Sequence, residues 1–159
     1  MSATGAPTLE VGEVLHGWER VVSHERVLWY GDGLMTGASS ERRLAFSNIH
    51  TDEEYAQGQG LPAAIADGMH STNWISSMLL RAFGQAYVEQ GQLRTKYIKP
   101  TLVGIMLKVR GKVRCKDQLE DGGVRYIVDV WTEDSNSERL TVGEAIIEVP
   151  RTEELFTSR

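Results

Sequence analysis

The spacing of apolar positions changes once along this chain. Between Asp67 and Gly84, Ile75, Met78, Leu79 and Ala82 recur every three or four residues, and Trp74 and Phe83 widen the same face. That period predicts one long amphipathic helix. Asp67 suits its N-cap, and Gly84 or Gly91 its end. From Leu93 onward the period falls to two. Strands are predicted at Leu93–Ile98, Ile105–Lys116, Val124–Thr132 and Leu140–Val149. In the second of these, Leu107, Val109, Val113 and Cys115 alternate with Lys108, Arg110, Lys112, Arg114 and Lys116. Asp121-Gly122-Gly123 is a hairpin signal. Long strands joined by tight turns predict an antiparallel sheet. Ser71, Thr72, Ser76 and Ser77 keep the helix slim enough for that sheet to approach. The expected class is α+β, with the sheet wrapped around the helix.

The first half is less regular. Leu9 to Val22 reads as an entry strand, and Ser23 as the cap of a short helix, HERVLWYGDG. The Gly/Ser-rich stretch from Gly31 to Ser47 is expected to form a loop over a ligand. A second short helical turn follows His50, with Thr51 as N-cap and Glu54 completing a capping box. Gly58, Gly60 and Pro62 break it.

Composition narrows the class. The 159 residues suffice for one domain and one core, with residues 1–8 and 151–159 read as frayed ends. No apolar run reaches the roughly 20 residues of a membrane span. A net charge of −5 argues against nucleic-acid binding. The N-terminus lacks the features of a secretion signal, and a single cysteine, Cys115, excludes an intrachain disulfide, so a cytoplasmic location is expected. Cys115 reads as a core residue rather than a nucleophile. The five cations from Lys108 to Lys116 read mainly as a solvated sheet face, with a phosphate or acidic-carrier site as the functional alternative.

The stretch Asn48 to Gly84 holds the candidate chemistry. Its order matches three motifs of one family. NIHTDEEYA is similar to a His-x-Asp-x-x-x-Ala segment after a polar turn. ADGMHSTNWISSMLL is similar to a His-Gly-Met helix start, with Asp67 in place of the His. LRTKYIKPTLVGIMLKVRGKV is similar to a strand-Pro-x-x-x-Gly-strand. With these, the chain resembles the MaoC-like hydratases and dehydratases of the hotdog fold, among them the R-specific enoyl-CoA hydratases. The resemblance implies a single hotdog domain across residues 1–159. It implies a lyase that adds water to, or removes it from, an acyl thioester on coenzyme A or an acyl carrier, with no cofactor beyond the substrate's own coenzyme A. It also implies a homodimer or a dimer of dimers.

The residues it nominates are His50 as acid/base and the Gly68 N–H at the helix start as oxyanion donor, with Asp67 and Asn48 as helpers. Physical chemistry supports the pairing. An imidazole exchanges protons near neutral pH, and unpaired N–H groups at a helix N-terminus stabilise a developing enolate. Each residue also has a structural reading: a turn His, a packing glycine, an N-cap Asp and a turn-shaping Asn. One departure is evident. The family motif Asp-x-Asn-Pro-x-His would put its Asp at Ala45, so the usual carboxylate partner is missing. Asp67, at the helix start, is the expected substitute, with Glu41 and Asp32 as the other carboxylates that could compensate. Two alternatives follow: a thioesterase using Asp67 or Asp52, and a non-catalytic acyl-ligand binder or partner subunit. His70 reads as a packed or solvated histidine, His16 and His24 as surface residues, and Arg42 and Arg43 as solvated loop charge.

Overall fold

The computed structural model describes residues 8–33 and 47–151. The expected ligand loop, with Glu41, Arg42, Arg43 and Ala45, and the side chain of Asp32 lie outside that range. The order of elements is β1 (Val14–Val21), α1 (His24–Gly33), α2 (Glu53–Gly58), α3 (Met69–Phe83), α4 (Gln85–Gln90), β2 (Gly91–Tyr97), β3 (Met106–Gln118), β4 (Val124–Glu133) and β5 (Arg139–Val149). The five strands form one sheet in the order β1-β3-β4-β5-β2, with every neighbouring pair antiparallel.

Helix α3 is the axis of the molecule. Ile75, Met78, Leu79 and Phe83 are buried against Val109, Val113, Val128, Val130, Ala145 and Ile147, which line the inner face of β3, β4 and β5. A second cluster of Val22, Val27, Ala66, Leu107 and Leu140 fills the space beneath α1. The close approach of helix and sheet comes from the sheet side. A Cβ on Gly17 of β1 would stand 2.8 Å from Val109 Cβ and 3.2 Å from Met78 Cβ, and one on Gly111 of β3 would stand 2.9 Å from Met78 Cε. Among the small residues of the helix, Ser71 is buried, while Ser76 accepts a 2.9 Å hydrogen bond from Tyr87 of α4.

Three local expectations are corrected. The cap of α2 is Asp52, whose carboxylate accepts from Tyr55 N–H at 2.9 Å; Thr51 instead accepts from the Asn48 side chain. The expected single end of the long helix is two ends, because Gly84 closes α3 and the short α4 runs on to Gly91. The alternation of β3 breaks at a bulge: Val113 pairs with Val128, but Cys115 pairs with Ile127. The extra residue flips the remainder of the strand. Cys115 therefore leaves the core face, and Lys116 comes round beside buried Tyr126. The Cys115 thiol donates to the Asp117 carboxylate, which holds its pKa above the usual value and keeps it a poor nucleophile.

Three of the five cations in the stripe meet carboxylates. Arg110 meets Glu19 and Glu133, Arg114 meets Asp129 and Glu144, and Lys116 meets Glu10. Carboxylates of β1, β4 and β5 thus meet Arg110 and Arg114, while Glu10, ahead of β1, meets Lys116. Lys108 and Lys112 form no ion pair among the described residues.

Candidate active site

The site is assembled by one polar turn and by the three residues that precede α3. Asn48 builds the turn. Its Oδ1 accepts from the backbone N–H of His50 (2.9 Å) and of Thr51 (3.2 Å), and its Nδ2 donates to Thr51 Oγ1 (2.8 Å). Asn side chains favour this bonding to backbone two or three residues on. Asn48 therefore places the His50 backbone and bonds the turn rather than the imidazole.

The segment 64–66 ties that turn to the helix. Ile65 N–H donates to Ile49 O at 3.0 Å, while Ala66 N–H donates to Thr101 O at 2.8 Å. The Ile65 carbonyl in turn accepts from His50 Nδ1 at 2.9 Å. A carbonyl oxygen can only accept, so Nδ1 carries the proton and Nε2 is the basic nitrogen of the neutral ring. In zinc-free acid/base sites the group that orients a His is often a carboxylate; here a backbone carbonyl has that position.

Three residues beyond Ile65, the helix begins. Asp67 Oδ1 accepts from Met69 N–H at 3.0 Å, and the Asp67 and Gly68 carbonyls accept from His70 and Ser71. The Gly68 N–H has no partner among the described residues. His50, Ile65 and Gly68 line one cleft of about 320 Å³, walled further by Tyr97, Lys99 and Thr141. The cleft brings together His50 and the helix-start glycine Gly68. Its described lining contains no carboxylate.

The remaining candidates fall elsewhere. Asp67 stands one residue before the N-cap Gly68, where its carboxylate accepts from Met69 N–H, and it forms no ion pair with His50 among the described residues. Asp52 is held below the usual carboxylate range, first by the Ser47 hydroxyl and then by Tyr55 N–H, so it is engaged in capping. His70 is packed, at 6% exposure. Its ring lies 4.2 Å from that of Tyr30 and 6.4 Å from that of Trp74, and its Nε2 has no hydrogen-bond partner among the described residues. Burial lowers its pKa; Asp67 opposes that shift, while His50 and Arg26 reinforce it.

Two parts of the site were not nominated from sequence. The Ile65 carbonyl carries no residue-type signal. Tyr97 ends an ordinary strand pattern, and only its nearness to the Lys99-Pro100 break marked the segment.

Comparison with known proteins fixes the family. The model of the MaoC like domain matches residues 46–133, more than half of the chain, so the chain belongs to the MaoC-like domain family. No curated protein sequence matches it. Solved structures share its fold at low identity. The MaoC-like dehydratase from Rhodospirillum rubrum superposes with a TM-score of 0.71 at 18% identity, covering 92% of this chain and 98% of that one. The (R)-hydratase from A. caviae involved in PHA biosynthesis gives 0.68 at 16%, covering 90% and 98%. A C-terminally truncated 3R-hydroxyacyl-ACP dehydratase complex from Mycobacterium tuberculosis gives 0.63 at 19%, covering 89% and 98%. The sheet-around-helix architecture is thus that of the hotdog-fold dehydratases and hydratases.

Proposed function

We propose that this protein is a lyase that hydrates an enoyl thioester or dehydrates the corresponding hydroxyacyl thioester. The observation that carries the reading is the shared cleft: His50, with Nδ1 committed to the Ile65 carbonyl, lines the same cleft as Gly68, whose N–H has no partner among the described residues. In the hydration direction, the thioester oxygen accepts from Gly68 N–H. His50 Nε2 takes a proton from water as the water oxygen bonds to the β-carbon. The displaced π electrons move onto the carbonyl oxygen as an enolate, which the helix-start amide stabilises. The imidazolium then returns its proton to the α-carbon, and the carbonyl re-forms. One histidine serves as base and then as acid, so the balance closes at one water added, and both groups add from the same face. Dehydration is the reverse.

On this reading Ala45 costs the site its usual carboxylate, and the Ile65 carbonyl supplies the orienting acceptor in its stead. Asp67 and Asn48 contribute indirectly, one by accepting from Met69 N–H at the helix start and the other by bonding the turn. Coenzyme A or an acyl-carrier arm arrives with the substrate, and no separate cofactor enters the reaction. Such substrates and the single cysteine suit a cytoplasmic enzyme; no described helix is long and apolar enough to cross a membrane. A second copy of the chain is the proposed partner, as a dimer or a dimer of dimers. The lyase reading is preferred to a thioesterase because the described cleft walls lack a carboxylate to attack the carbonyl carbon.

The test is incubation with saturated, unsaturated and hydroxylated acyl-CoAs, followed by mass spectrometry. A gain or loss of one water is expected. Release of free coenzyme A, or binding without turnover, would reject the lyase. His50→Ala should lower kcat by about a hundredfold or more, the usual scale of a lost general acid/base.

A further inference from the structure

Tyr97 is the last residue of β2, an edge strand, and it is 47% exposed. A side chain so placed is ordinarily free to move. Here it is fixed at both ends. Its ring rests on Gly68: a Cβ added there would lie 2.7 Å from ring atoms Cε2 and Cζ. Its hydroxyl lies 2.8 Å from Thr72 Oγ1 and 3.4 Å from Met69 Sδ. Thr72 Oγ1 is itself 2.8 Å from Thr95 Oγ1, one side-chain alternation back along β2. Thr72 also closes the first turn of α3, since its N–H and that of Ser71 both donate to the Gly68 carbonyl. Two residues of the strand therefore hold the first helical turn, which starts at a glycine that lines the cleft.

We propose that Tyr97 is a positioning residue for the oxyanion donor, acting through its hydroxyl bond to Thr72 and its ring contact with Gly68. This inference rests on the lyase reading above. An oxyanion donor is effective when it need not reorganise as charge develops. Gly68 has no side chain of its own to anchor it. The phenol supplies the anchor: the ring limits the movement of the Gly68 backbone toward the strand, and the hydroxyl keeps the turn seated. The same ring forms one wall of the cleft, so the residue that positions the amide also sets the space beside it. Glycine at position 68 is then required twice, by the ring that covers it and by the substrate oxygen that must reach its N–H.

Tyr97→Phe keeps the ring and removes the hydroxyl; Thr72→Val keeps the shape and removes the partner. The hydroxyl bond acts on the transition state, so each variant should lower kcat by about three- to tenfold, the range of one net hydrogen bond, with KM within about twofold of wild type. Because both remove the Tyr97–Thr72 bond, and each also removes one contact of its own, to Met69 or to Thr95, the double variant should lose clearly less than the product of the two single losses. Wild-type kcat in both single variants, or a double loss equal to the product of the singles, would overturn the inference. Far-UV circular dichroism and thermal unfolding on each variant show whether the fold is intact. His50→Ala, run in parallel, separates the two levels. If wild type turns over, His50→Ala does not, and Tyr97→Phe is unchanged, only the positioning role fails. If wild type neither adds nor removes water, the lyase reading fails and this inference falls with it.

Discussion

His70 is a neutral, buried imidazole with an unpaired Nε2, and that combination has a measurable consequence. The folded protein lowers its pKa through burial, whereas the unfolded chain leaves it near the ordinary imidazole value of about 6.5. Below that value the unfolded chain binds the proton more readily, so stability falls as the pH drops toward the folded pKa. Above it both states are neutral, and His70 adds no slope. The urea midpoint should therefore decline as the pH falls below about 6.5, and His70→Phe, which retains an aromatic ring beside Tyr30 and Trp74, should flatten that decline. An unchanged slope in the variant would assign the effect to other groups. At this scale the sequence was informative about residue types. His50 and Gly68 were nominated, and they share a cleft. Their partners were hidden for physical reasons. The acceptor for His50 is a main-chain carbonyl, which any residue at position 65 would provide. Asp67 is ambiguous in the sequence because a carboxylate at a helix start satisfies a cap and a catalytic role equally well on paper; its bond to Met69 N–H engages one oxygen at the helix start.

Among the elements, the contact between α3 and the strands depends on two glycines that do not behave alike. At Gly17 an added methyl would meet Val109 Cβ and Cγ1, both at 2.8 Å, which are atoms close to the backbone of a central strand. At Gly111 the nearest atom is Met78 Cε, the flexible end of a side chain that can turn aside. Gly17→Ala should thus cost about 1–3 kcal/mol of unfolding free energy, and Gly111→Ala distinctly less. Chemical denaturation of the two variants checks the order, and equal losses would show that α3 shifts as a body to accommodate either methyl. The sequence exposed α3 through its apolar period and β3 to β5 through alternation and the Asp-Gly-Gly turn. It did not expose the bulge in β3. The Lys/Arg alternation continues unbroken through Lys116, so the pattern looks regular where the pairing is not, and Cys115 was assigned to the wrong face. Likewise the small residues that permit close packing were sought on the helix, yet the tightest clearances belong to glycines on the strands.

In the whole molecule, the strand order separates what a linear reading can and cannot reach. β3, β4 and β5 follow one another through short connections and were legible as neighbours. The pairings of β1 with β3 and β2 with β5 bridge long sequence distances, and no local pattern encodes them. Those pairings leave β1 and β2 as the two sheet edges. Beside β2, Met69, Tyr97 and Ile98 are each more than two-fifths exposed, at 44%, 47% and 46%. An edge strand flanked by apolar side chains is a template for pairing with another chain; the other edge, β1, also exposes Val14 and Val21, but the β2 edge is the one beside the cleft, whose lining includes Tyr97 and Ile98. The proposed dimer should therefore form along β2, placing two clefts near the shared edge. Sedimentation equilibrium is expected to give a mass near twice the 17.7 kDa of the chain, or a multiple of that pair. Ile98→Asp would put a charge into that contact and should shift the mass toward a single chain, since an unpaired buried carboxylate costs several kcal/mol by an order-of-magnitude estimate. A single-chain mass for the unaltered protein at concentrations of tens of micromolar would remove the dimer, and with it any reason for the apolar flank of β2 to be a contact surface.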